Sequence, residues 1–380
     1  MDKHFFATYT VQELQRLGYW DYAEARQTNL TYPIHPILDR WNWFCPDNLY
    51  NGIVQILRLA SALFQCPASI AFHYDIMFGT REYLPEASQQ HGQACQRLRH
   101  IHTNQDEVAI RTEFDTMMLR IAQHISFCFY KQSDPGFTHL NAFAVTRRNV
   151  ARPTFFLPGA RQSGDGSVIH INYQYIENLS KGNMPLSQLL RLQFYMALTI
   201  SHEIAHAINN AVSVLLYEPF YEDQRLSELG RAWENEVFGG MTELIFETDA
   251  RNPLAFAKWP TYADKATPRN GVLALKGPKR YTTWYFVSMK WVNDIQQQWF
   301  WDVPGDTTKL RIPKRVGFQK KYRDADYDRD WDQEKSSEGR WPGDSRGRVF
   351  REEIDEGWEE DVETPEDFFD LEAEWDDLDM

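Results

Sequence analysis

The sequence predicts an α+β fold, predominantly helical, with one buried helix beside a small sheet and a disordered acidic tail. Three observations predict it. Apolar residues recur at helical spacing through the first 150 residues, and the alternating run Ser167 to Tyr173 reads as a strand. Residues 352–380 hold sixteen Asp and Glu and no Lys or Arg, too many like charges to pack. The chain divides into a mostly helical lobe (1–150), a body (151–304), a basic then mixed-charge linker, largely disordered (305–351), and the acidic tail (352–380).

In the first lobe, Val11 to Leu17, Ile53 to Phe64 and Val108 to Tyr130 have helix-like apolar spacing, clearest from Thr112 to Ile125. Ile53 to Phe72 is apolar in long runs, but Gln55, Arg58, Gln65 and Pro67 interrupt it, so no membrane span is expected. His100 and His102 flank Ile101, a spacing that points them apart on a helix, and both read as ordinary surface residues. Cys45, Cys66, Cys95 and Cys128 are widely spaced and form no CxxC, as expected of thiols in a reducing compartment. The opening residues lack a basic start joined to an apolar stretch, so no signal peptide is expected. Cytoplasmic or nuclear residence follows.

Gly164-Asp165-Gly166 marks a tight turn before the strand at Ser167 to Tyr173. A helix apolar on most sides then follows, carried by Leu189, Leu190, Leu192, Phe194, Met196, Ala197 and Leu198. Asn183 and Pro185 supply its start signal, and Asn209-Asn210 a left-handed stop.

His202-Glu203-Ile204-Ala205-His206 lies within that helix. Residues i and i+4 share a helix face, so both imidazoles reach one metal ion, and the spacing points to Zn²⁺, one per chain. Glu203 is then placed to take a proton from a water polarised there. With eleven histidines in 380 residues, a chance match is on the order of two per cent. The competing reading is a hydrogen-bonded pair of core histidines, or a metal site that has lost activity.

His206 is the last histidine in the chain, and HExxHxxGxxH would need a glycine and a histidine where Asn209 and Val212 stand. The third ligand is therefore expected to be a carboxylate from a following helix, in the segment Asp223 to Gly240. Glu228 shares a helical stripe with Ala232, Asn235 and Gly239, which would let that helix approach closely. Glu234 is the alternative, on a stripe with Gly230 and Phe238, and Glu236 comes last because Trp233 crowds it. Whichever of these is not a ligand is available to accept from a ligand imidazole N–H.

His202 to His206, followed about twenty residues later by Glu228, resembles the gluzincin metallopeptidases. It is closer in look to zincin-like proteins of filamentous fungi, which share a similar Glu-Leu-Gly…Trp-Glu…Phe-Gly-Gly stretch. The resemblance spans Phe155 to Trp301 and is specific from Thr199 to Gly240. It implies a zincin-like catalytic domain and a zinc-dependent hydrolase, most naturally a peptidase acting on a peptide or protein substrate. The alternative is an inactive zincin-like interaction or scaffold protein. In such folds a strand like Ser167 to Tyr173 lies beside the zinc helix and pairs with an extended peptide; the plainer reading is a sheet strand with His170 on one face. Where many gluzincins carry an aspartate four residues after the third ligand, this chain has Ala232.

Met241 to Thr248 is expected to continue or follow the glutamate helix, Pro253 to Lys279 to be loop, and Tyr281 to Trp301 a last aromatic helix. Tyr281 and Tyr285 are candidate electrophilic helpers, with core packing the stronger reading for both. Lys309 to Arg323 is basic, but without a recognisable module nucleic-acid binding is not expected. The net charge of −14 belongs to the tail, since residues 1–351 hold 40 basic against 38 acidic side chains. Trp358, Phe368, Phe369, Leu371, Trp375 and Leu378 punctuate the tail, a composition suited to docking on a protein partner or on the chain's own basic run.

Overall fold

A computed structural model describes residues 9–85, 88, 94–137, 142–153, 164–215, 217–224, 226–244, 253–259, 281–303 and 308–321. Its helices are α1 (Val11–Arg16), α2 (Asp47–Gly52), α3 (Val54–Phe64), α4 (Pro67–Phe78), α5 (Glu107–Ile121), α6 (Gln174–Leu179), α7 (Leu186–Val212), α8 (Leu229–Phe238), α9 (Met289–Asp294) and α10 (Gln298–Trp301). Its strands are β1 (Trp43–Phe44), β2 (Thr80–Tyr83), β3 (Gln96–Arg99), β4 (Ile125–Tyr130), β5 (Ala144–Pro153), β6 (Asp165–Asn172), β7 (Phe220–Tyr221), β8 (Met241–Leu244), β9 (Leu254–Ala257), β10 (Tyr281–Phe286) and β11 (Gly317–Lys321). The class is α+β, as expected.

Among the described residues the strands form three small sheets, in the orders β1-β4-β6-β5, β11-β10-β9-β8 and β2-β3-β7. In the first, β6 runs parallel to β4 and antiparallel to β5, so β6 is an interior strand and β5 an edge. Along β6, Ser167, Ile169 and Ile171 are fully buried while Val168, His170 and Asn172 are half-exposed. That period of two turns one face of the strand toward α7. Gly164, just before β6, passes so close to α7 that a Cβ there would sit 2.0 Å from the Asn210 carbonyl oxygen.

The division expected at residue 150 falls inside β5, and Trp43, Phe127, Ile169 and Trp233 share one hydrophobic core. The apolar helices α3 and α4, joined by Pro67 at the first turn of α4, meet at 70° with most of their side chains buried. Among the described residues no single helix is long and apolar enough to cross a membrane; only this bent pair taken together reaches that length and apolar composition.

Several expectations are corrected. Helix α5 stops at Ile121, and Ile125 to Tyr130 is a strand: its aromatic and β-branched residues alternate, and Phe127 faces the core. Helix α7 runs through Asn209 and Asn210 to Val212. Both asparagines are buried and tied sideways, Asn209 Oδ1 accepting from Arg81 and Asn210 Nδ2 donating to Ser167, so neither turns the chain. After α8, Gly239 adopts a left-handed conformation (φ +84°) and Met241 to Leu244 pairs as a strand, while 245–248 lies outside the described residues. Leu254 to Ala257, within the expected loop, is likewise a strand, and 260–279 lies outside the described residues.

The expected helix at Tyr281 to Trp301 is a strand followed by two short helices, with Trp284 and Phe286 alternating into the core. Part of the expected linker also belongs to the folded body. Leu310 and Ile312 are buried, the Ile312 amide donates to the Phe238 carbonyl at 3.1 Å, and β11 pairs with β10. The rest of the linker from 322 onward, and the acidic tail, lie outside the described residues. His100 and His102 sit in a turn with ring centroids 5.2 Å apart, not on opposite sides of a helix. His102 Nδ1 lies 2.6 Å from the carboxylate of Asp75, which is fully buried and also accepts from the Tyr221 hydroxyl.

Candidate metal centre

His202 and His206 project from one face of α7 with ring centroids 5.0 Å apart. The third group arrives from α8 by a route the helical-stripe argument did not describe. Glu228 precedes the helix as its N-cap, in extended conformation, with its side chain accepting the Arg231 amide. A capping carboxylate points back along the helix end, and here that direction leads to α7. Glu228 Oε1 lies 3.1 Å from His202 Nε2 and 3.0 Å from His206 Nε2.

One ligand atom from each of the three residues lies within 4.8 Å of the others. Ligands about 2.1 Å from a tetrahedral ion stand roughly 3.4 Å apart, so the donor set fits a metal ion after a small expansion. Two imidazoles and one carboxylate, leaving a coordination position open, are the donors of a catalytic zinc site.

Gly230 makes the approach feasible. A Cβ at this position would lie 2.3 Å from His202 Nε2, so only glycine lets α8 come this near. The small residue that matters is thus on the stripe assigned to Glu234, not the one assigned to Glu228.

Each histidine is held from behind by a second carboxylate. His202 Nδ1 lies 2.7 Å from Glu234 Oε1, and Glu234 also accepts the Thr242 amide at 2.7 Å and pairs with Arg231. The Glu234 side chain is 2% exposed against 32% for Glu228, so the group behind His202 is the more deeply buried of the two. His206 Nδ1 lies 2.5 Å from Glu218 Oε1. The two carboxylates turn both Nε2 atoms toward Glu228. Ala232 is buried and makes no contact of this kind, whereas Glu234 and Glu218 hold the imidazoles. Glu236 is not part of the cluster.

Electrostatics match this arrangement. Burial would lower the pKa of His202, but Glu228 and Glu234 outweigh it and push the group up to about 9. Glu218 and Glu228 likewise outweigh burial at His206 and raise it, while the two imidazoles hold Glu228 well below the usual carboxylate range. Metal ligands must give up their protons, so binding an ion at such a cluster would release protons.

Glu203, 7% exposed on the same helix, meets Thr146 of β5, whose hydroxyl donates to Glu203 Oε2 at 2.6 Å and lies 3.0 Å from the Glu203 carbonyl oxygen. Sequence reasoning missed both Glu218 and Thr146. Each touches the site from an element whose position no local pattern encodes.

His170 is on the interior strand β6, with its Nδ1 3.0 Å from the Cys128 sulfur, and β4 and β5 occupy both edges of that strand. β6 therefore has no edge open to a peptide; among the described residues the edge strands of this sheet are β1 and β5. Tyr285 packs on Phe256 with Lys314 over its ring, and the side chain of Tyr281 lies outside the described residues. The four cysteines are free thiols, Cys66 and Cys95 buried and Cys45 and Cys128 half-buried. No protein-family model, curated protein or solved structure matches this chain.

Proposed function

We propose that this chain is a zinc-dependent metallohydrolase, most naturally a peptidase, with a zincin-like catalytic arrangement. The observation that carries the reading is the convergence of His202 Nε2, His206 Nε2 and Glu228 Oε1 on one point, with Glu203 next along the same helix. His202, His206 and Glu228 would hold the ion. When bound, Zn²⁺ supplies Lewis acidity and makes a neighbouring water more acidic.

Glu203 takes a proton from the attacking water and passes it to the leaving amine nitrogen. The side chains of His202, His206 and Glu228 keep 16%, 17% and 32% of their exposure, so the cluster is not sealed from solvent. Among the described residues β5 is an edge strand, and such an edge offers main-chain donors and acceptors to an extended peptide, which favours a peptide bond as the target.

Metal analysis paired with digestion of a diverse peptide library tests the reading. Wild type is expected to hold about one zinc per chain, and His202→Ala and His206→Ala to lose it. Glu203→Gln is expected to keep zinc and lose turnover by roughly a hundredfold or more. Full zinc in both histidine variants would remove the site assignment. A zinc-loaded wild type that cleaves nothing would leave a structural metal in an interaction protein.

A further inference from the structure

We propose that Thr146 is a positioning residue for Glu203, its hydroxyl holding one carboxylate oxygen so that the other faces the reacting water. The inference rests on the hydrolase reading and concerns a residue on a different element, 57 positions away in the chain.

Strand geometry explains part of what stands at position 146, and not the rest. Thr146 is opposite Ile169, on the face of β5 that looks toward α7. A β-branched carbon suits that place, and valine would supply it equally well. The hydroxyl is the surplus. A hydroxyl has one proton to give, and here two acceptors compete for it: Oε2 at 2.6 Å and the Glu203 carbonyl at 3.0 Å. The shorter contact to the charged oxygen takes the larger share.

Among the described residues, Thr146 is the hydrogen-bond donor that the Glu203 carboxylate meets, and it meets Oε2. Oε1 is left for the proton the base must accept. A glutamate side chain has three rotatable bonds, and fixing one oxygen removes most of the carboxylate's freedom before substrate arrives. The same hydroxyl joins α7 to the edge strand, so the base and the strand edge are held in one register.

Full-length, zinc-loaded wild type, Thr146→Val and Thr146→Ser are compared on a peptide that wild type cleaves, with zinc content and melting temperature measured alongside. Thr146→Val is expected to keep its zinc and lose about tenfold or more in kcat, with KM within about twofold, because the lost bond is to a charged group. Thr146→Ser is expected to recover most of the loss. Equal kcat in wild type and Thr146→Val would overturn the proposal. So would a loss of kcat that follows a loss of zinc or melting temperature and is not recovered by serine.

A readout independent of turnover is a double-mutant cycle on the denaturant midpoint, using Thr146→Val, Glu203→Ala and the pair. Non-additive shifts are expected, and additive shifts would overturn the proposal whether or not the protein is a hydrolase. A zinc-loaded wild type that cleaves nothing would end the hydrolase reading and the positioning role with it.

Discussion

Glu218 clasps His206 to the start of the neighbouring helix. Its Oε1 lies 2.5 Å from His206 Nδ1, while its Oε2 accepts the Leu229 amide at 2.9 Å. One carboxylate therefore orients His206 on α7 and holds the backbone that immediately follows Glu228, which faces the other side of that imidazole. Both partners donate, so both oxygens are needed as acceptors.

Glu218→Gln should accordingly weaken zinc binding. The amide keeps one acceptor and gains a donor that faces either an imidazole N–H or a backbone N–H. Replacing such outer groups lowers metal affinity by about 10–100-fold. Competition with a chromophoric chelator measures it, and unchanged affinity would mean that the orientation of His206 has another source.

Gly230→Ala should damage the site by a different route. The added methyl carbon would sit 2.3 Å from His202 Nε2, which the packed interface cannot absorb without moving the ring or the helix. Overpacking of this kind costs roughly 1–3 kcal/mol. A lower melting temperature in the metal-free protein and at least about tenfold weaker zinc binding are expected. A variant that matches wild type in both would show that α8 has freedom to retreat.

The metal-free protein should be most stable near pH 6.5. Burial pushes His35 down to about 4 and His73 to about 3. Depressed histidines contribute stability above their unfolded pKa of about 6.5, and that stability is lost as pH falls toward the folded values. Each such group lowers the folding equilibrium constant by up to about tenfold per pH unit in that window. His102, His202 and His206 have the opposite sign: Asp75, and around the cluster Glu218, Glu228 and Glu234, raise their pKa values, so their contributions are full below about 6.5 and lost as pH rises through the raised values. Urea midpoints between pH 5 and 9 measure both limbs. A flat profile from 6.5 to 5 would rule out neutral buried histidines, and His73→Leu should shallow the acid limb alone.

The sequence by itself determined what is local. His202, Glu203 and His206 are legible because five residues of helix fix their relative directions, and the buried character of α7 follows from its own apolar run. The alternation of β6 is legible for the same reason. Glu228 was legible as a partner of the two histidines from its distance past His206, although it reaches them as a helix cap and not from a helical stripe.

Tertiary structure decided the rest. Ile125 to Tyr130 and Tyr281 to Phe286 became strands because partners were available to pair with them, and short apolar runs carry no record of such partners. Leu310 and Ile312 fold in because α8 offers a carbonyl and a core surface to a segment whose charge alone suggests a linker. Glu218, Glu234 and Thr146 reach His206, His202 and Glu203 from a loop, a second helix and an edge strand. A hydrogen bond spans about 3 Å whatever the sequence separation, so only the packing of those elements on α7 could show which carboxylates and which hydroxyl belong to the site.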